Sequence, residues 1–206
     1  MKKLLDRIFI DGLTGMAQGL FATLIIGTII QQIGTYCGGN IGNLIFTLGK
    51  VAAGLTGAGI GAGVARKLDA GHLVIVSAAV VGTIGAFAGD VMSGAVLKGN
   101  ALVLSGPGEP LGAFVASYIA IEIGILISGK TRLDIILTPL VCIGAGSAVG
   151  LLVGPPISGF MAWLGSLINW GTEQQPLLMG IVVSVLMGMI LTLPSSSAAL
   201  GVILNL

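Results

Sequence analysis

Apolar stretches long enough to cross a membrane follow one another along this chain, and they constrain its fold more than any other feature. A helix needs about 20 residues to traverse roughly 30 Å of hydrocarbon. Such runs occur at 13–34, about 43–65, 72–97, 111–128, 135–153 and 177–193, and a seventh begins near 198. A shorter run, 157–170, holds Trp163 and Trp170 between Gly154-Pro155-Pro156 and the polar "GTEQQP". Its length and tryptophans suit an interfacial or re-entrant helix. With 55% hydrophobic and only 8% charged residues, the chain has too little polar surface to fold in water, where domains carry about 25% charge. The expected fold is all-α. It is a polytopic transmembrane helical bundle of about six to seven spans, with re-entrant or broken segments and the lipid bilayer as solvent.

Charge orients these spans. With the N-terminus in the cytoplasm, Lys2, Lys3, Arg7, Arg66, Lys67, Lys130 and Arg132 all fall inside, and of the nine basic residues only Lys50 and Lys98 do not. That is the positive-inside bias. "SGPGEP" (105–110) and the tryptophan-bearing run then fall outside, and "LPSSSA" falls toward the inner half. Residues 1–11 read as a cytoplasmic, partly amphipathic lead-in, because Arg7 and Asp11 interrupt the apolar region and no small-residue cleavage site follows. A net charge of +1 offers no basic patch for nucleic acid. Cys37 and Cys142 each stand alone, without metal or redox spacing. No HExxH, phosphate loop or haem motif is present, and the single histidine, His72, reads as an interface residue beside Arg66, Lys67 and Asp69. Neither a catalytic set nor a cofactor or metal site is expected.

The 35 glycines concentrate inside the spans. Gly57 and Gly61, Gly59 and Gly63, Gly15 and Gly19, and Gly146 and Gly150 repeat the small-xxx-small spacing that lets helix backbones approach closely. An internal repeat is also suggested. "GLFATLIIGTII" from Gly19 aligns with "GIVVSVLMGMIL" from Gly180, matching Gly27 to Gly188 and Thr23 to Ser184. Five crossings lie between the two starts, so the second copy would enter from the opposite side, the inverted-repeat plan of many transporters. The 206 residues are read as one membrane domain, with 1–170 the first unit and 171–206 the start of a second, inverted unit.

Ionisable residues inside spans are costly and are candidate sites. They are Lys50 in "TLGKVAAG", Asp90 in "AFAGDVMSG" and Glu122 in "YIAIEIGIL", with Glu109 at the head of the fourth run in "GPGEPLGAF". A Lys50–Asp90 or Lys50–Glu122 pair would neutralise both partners, and a carboxyl group at depth would suit proton coupling. Glu109 stands where a helix N-terminus favours negative charge, and it could instead accept from a sugar hydroxyl. In "LPSSSAALG", Pro194 breaks the helix, and Ser195, Ser196 and Ser197 can satisfy the backbone groups left open. Such a break marks a buried hairpin or a polar cavity.

Four segments resemble one family: "LLDRIFIDGLTGMAQGLFATLIIGTIIQQIG", "GPGEPLGAFVAS", "ISGKTRLDIILTPL" and "LPSSSAALG". They are similar to phosphotransferase-system enzyme IIC-like membrane proteins, in particular the perfringolysin regulator-type subgroup of Gram-positive bacteria. The resemblance implies a bacterial plasma-membrane protein that moves or senses a sugar or similar polar solute. In phosphotransferase systems the IIC component holds the sugar while IIA and IIB domains pass a phosphate to it. This chain has no IIA or IIB domain and no recognisable phosphoacceptor motif, so phosphotransfer would need separate partners. Members of the subgroup are typically longer, which makes a fragment or a short paralogue that associates with something else, such as a homodimer, the expectation here. The leading reading is an alternating-access permease. Its solute would sit at midplane between a broken segment around 105–112 and the Pro-Ser-Ser-Ser bend. A membrane-bound ligand sensor of the same fold is the alternative, and a structural or channel subunit is the third.

Overall fold

The structure, a computed structural model, describes residues 6–98, 101–130 and 132–174, with positions 180, 181, 184, 185 and 188 beyond them. Its helices are α1 (Arg7–Cys37), α2 (Gly39–Gly54), α3 (Thr56–Lys67), α4 (His72–Ala86), α5 (Ala88–Met92), α6 (Pro110–Ile127) and α7 (Asp134–Gln174). Between α5 and α6, the two-residue strands β1 (Leu97–Lys98) and β2 (Ala101–Leu102) pair antiparallel. Among the described residues the regular structure is helical apart from this hairpin.

Among the described residues three helices are long and apolar enough to span a membrane, and α2 with α3, bent by 50° at Leu55, is a broken span or a re-entrant loop. Hydroxyls along them donate to carbonyls one turn back, as Thr23 does to Gly19, Thr28 to Leu24 and Ser117 to Ala113. Each such bond satisfies a polar group that lipid could not. The third expected run, 72–97, is one continuous helix only as far as Ala86. At 15 residues α4 reaches about 22 Å, and the chain breaks at Phe87 into the short α5 and the hairpin. The expected separate helix at 157–170 is corrected: it is the continuation of α7, which runs unbroken through Pro139, Pro155 and Pro156. Each proline lacks an N–H and so leaves one carbonyl of the preceding turn without its donor, but it does not stop the helix. The run 177–193 is represented by five helical positions, and the start of the seventh lies outside the described residues.

The helices stand side by side because glycine leaves their faces bare. On the α1–α3 seam, Gly15 meets Gly63 and Gly19 meets Gly59. Farther along α1, Gly27 meets Gly49 and Ala53, and Gly34 meets Gly42. A four-residue step on α1 is answered by a four-residue step on α3, which is antiparallel packing in register. The same device joins α3 to α4 at Gly57–Gly82 and Gly61–Ala78, and α4 to α6 at Gly85–Gly112. A Cβ on Gly15 would lie 2.7 Å from the carbonyl oxygen of Gly63, and one on Gly85 2.6 Å from that of Gly112. Without a hydrophobic drive between helices in lipid, such close backbone contact is the main source of association.

The seams converge on α4. It is apolar on every side: α3, α6 and α7 pack against it, and its remaining side leaves Val76 and Val80 exposed. Val74, Ala78 and Val81 are fully buried there, beside Ile60 and Val64 of α3 and Ile121 of α6. The alternating directions bring the N-terminus of α1, the α3–α4 turn and the α6–α7 turn to one end. Arg7, Arg66, Lys67, Lys130 and Arg132 therefore gather at that end, as the charge pattern required.

Replacing Gly19 or Gly61 with alanine drives a Cβ into the backbone carbonyl of Gly59 or Ala78. Each should cost about 1–3 kcal/mol, the usual penalty of overpacking. Thermal unfolding in detergent should show a lowered midpoint for both. Gly144→Ala, whose Cβ meets nothing within 4 Å, should leave it unchanged.

Candidate functional site

The break after Ala86 positions the candidate site. Past the hairpin, residues 103–109 fold back onto the end of α4. The Glu109 N–H donates to the Ala86 carbonyl at 2.7 Å. Gly108 lies against the same residue with φ +71, and a Cβ there would approach the Ala86 oxygen to 2.8 Å. Only glycine meets both demands. Pro110 then opens α6, where its missing N–H costs nothing. Glu109 caps the helix, its Oε1 accepting from the Leu111 N–H at 3.4 Å. The capping role read from the sequence is thus present, and the carboxylate still has acceptor capacity to spare.

This loop separates two cavities. The first, about 380 Å³, is lined by Ser105 to Glu109, by Ala86, Gly89 and Asp90, and by Ser158, Met161 and Ala162 of α7. The second, about 580 Å³, is lined by Leu24, Thr28, Gln31 and Gln32 of α1, by Lys50, Ala53 and Gly54 of α2, and by residues 103–107. Ser105, Gly106 and Pro107 line both. The continuity of α7 matters here, because it carries Ser158 and Met161 up to the loop.

The structure divides the expected site residues. Asp90 and Glu109 share the first cavity, and Lys50 stands in the second. Glu122 lies apart, thirteen residues along α6 from Glu109 or about 20 Å. It accepts from the Arg7 Nε at 2.7 Å. Its cation is therefore Arg7. Among the described residues the only other ion pair is Arg66–Asp69, so neither the Lys50–Asp90 nor the Lys50–Glu122 pair is formed. Ser195, Ser196 and Ser197 lie outside the described residues. His72 is the exposed first residue of α4. No group of three His, Cys, Asp or Glu side chains that could hold a metal occurs among the described residues.

Sequence reasoning missed Arg7, Ser105, Ser158, Gln31 and Gln32. Two adjacent amides at the end of an apolar span were a usable signal. Arg7 was passed over as part of the lead-in, although antiparallel first and fourth spans would set it level with Glu122.

Glu109 precedes the first residue of the spanning helix α6. Burial pushes its carboxyl from 4.5 up to about 7, opposed in part by the Leu111 N–H. A carboxyl raised in the folded state favours the neutral form there, so its contribution is complete below 4.5 and is lost as pH rises through about 7. The melting midpoint should therefore fall over that window, and Glu109→Gln should flatten the fall.

The sequence pattern of the family Phosphotransferase system, EIIC matches residues 10–206. That is nearly the whole chain, and the protein belongs to this family of integral membrane proteins. The match is to the family and does not single out the perfringolysin regulator-type subgroup. Comparison with curated proteins and with solved structures gives no match.

The Arg7–Glu122 pair ties α1 to α6. Arg7→Met leaves a carboxylate in a spanning helix without its cation, which is costly. The double variant Arg7→Met/Glu122→Gln should melt closer to wild type than Arg7→Met alone. Simple additivity of the two changes would show that the pair contributes nothing.

Proposed function

We propose that this chain is the solute-holding membrane component of a sugar permease of the phosphotransferase type. It would act in a bacterial plasma membrane, with its N-terminus cytoplasmic, as a monomer or a homodimer. The observation that carries the reading is the loop shared by two cavities, with Asp90 and Glu109 on one side of it. A sugar presents several hydroxyls, each able to donate and accept. Two carboxylates, the Ser105 and Ser158 hydroxyls and the backbone of a glycine-rich loop supply acceptors and donors at short spacing. Met161 and Ala162 offer an apolar surface to the C–H faces of the ring. This mixture in a cavity of several hundred Å³ is what small-molecule sites use.

Transport follows from the position of the loop. Residues 105–107 form a wall of each cavity, so a shift of the loop against α4 would close one and open the other. That is a local form of alternating access. Glu122, neutralised by Arg7, contributes by joining α1 to α6 without touching the solute. Residues 171–206 would begin a second, inverted unit whose Ser195, Ser196 and Ser197 face the same solute from the opposite side. Phosphate would come from separate IIA- and IIB-type proteins.

Counterflow of radiolabelled hexoses and amino sugars into proteoliposomes tests the proposal. At least one sugar should exchange. Glu109→Gln and Asp90→Asn should each weaken its apparent affinity about tenfold, the loss expected for a hydrogen bond to a charged group. Exchange that is indifferent to both substitutions would remove the site from this cavity. A sugar that raises the melting midpoint without exchanging would turn the reading to a sensor.

A further inference from the structure

We propose that the second cavity, behind the loop, is a separate binding site for a small polyhydroxylated solute that carries an anionic group, a phosphate or a carboxylate. Lys50 would be the anion's partner. This goes beyond the sugar site of the first cavity and uses none of its carboxylates.

Lys50 stands near the C-terminal end of α2, eleven residues from its first residue, or about 17 Å along the helix. An ammonium at that depth in a spanning segment is costly unless an anion or a wet cavity receives it. The cavity of about 580 Å³ beside it is within the range of small-ligand sites. No acidic side chain lines it, and among the described residues Lys50 has no carboxylate within ion-pair distance. The charge is therefore unanswered on the side where the cavity opens.

The rest of the lining suits a polyol. Gln31 spends its amide on one long bond to the Gly27 carbonyl, 3.4 Å, and keeps its oxygen free to accept. Gln32 and Ser105 are exposed in the same cavity. Thr28 donates to the Leu24 carbonyl at 2.8 Å and can still accept. Two amides and two hydroxyls around one ammonium can hold the hydroxyls of a sugar whose charged end meets Lys50. The two cavities are thus opposite in charge, acidic on the α7 side of the loop and basic on the α1 side. A neutral solute and an anionic one would be sorted by the side they occupy.

The experiment uses the full chain in a neutral detergent, with binding read by isothermal titration and by the melting midpoint. Hexose 6-phosphate, hexuronate, inorganic phosphate and neutral hexose are the probes. At least one of the two charged sugars should bind. Lys50→Met should weaken it at least tenfold and Lys50→Arg should restore most of the loss. Binding by hexose 6-phosphate alone or by hexuronate alone identifies which anion the site takes. The inference is overturned if neither charged sugar binds. It is overturned equally if Lys50→Met, folded by its own midpoint, binds as well as wild type, or if inorganic phosphate binds as tightly as the charged sugars. Neutral hexose that still binds and responds to Glu109→Gln in those cases would leave the first site standing, so the two readings fail separately.

Discussion

Backbone contact between glycines sets how the helices of this bundle stand against one another. In lipid, apolar side chains gain little by leaving the solvent for each other, so helices must adhere by fit. Here Gly15, Gly19, Gly27 and Gly34 of one helix face Gly63, Gly59, Gly49 and Gly42 of its neighbours, and α1 lies flush along a bent partner. The partner's bend at Leu55 divides the seam into two straight pieces. The inner piece, α3, presents Gly57 and Gly61 to α4 in turn. Each seam sets the position of the next, and the last one places the end of α4 beneath the loop.

That placement gives the loop its role. At 15 residues α4 is shorter than a membrane is thick, and the chain turns at its end before the short α5. The break does not leave bare backbone, because residues 103–109 return to cover it and Glu109 bonds to Ala86. Irregular backbone of this sort is tolerated where protein or a polar cavity surrounds it, and here there is a cavity on each side. The short helix, the returning loop and the pockets on its two sides go together with one early termination.

Much of this was legible in the sequence. Small residues four apart marked the seams, since few other patterns need glycine at that spacing within apolar runs. "GPGEP" announced a loop ending in a capped helix, because proline at a first turn preceded by an acid has few other uses. What was not legible is equally physical. Tandem prolines at 155 and 156 precede the run expected as a separate helix, but they cost α7 only the bonds their missing N–H groups would have made, and the helix continues. The partner of Glu122 depended on which helices lie side by side, which hydropathy does not reveal. The division of Asp90 and Glu109 from Lys50 depended on the path of seven loop residues, for which local sequence carries no direction.

On the proposed function, the loop at 103–109 is the element a sugar touches. The most direct test labels Ser105→Cys with a membrane-impermeant maleimide, in a chain whose exposed Cys37 is replaced by alanine. The rate is measured with and without the hexose that exchanges in proteoliposomes. The free protein should label readily, and labelling should slow severalfold with the sugar bound. Equal rates under both conditions would contradict it.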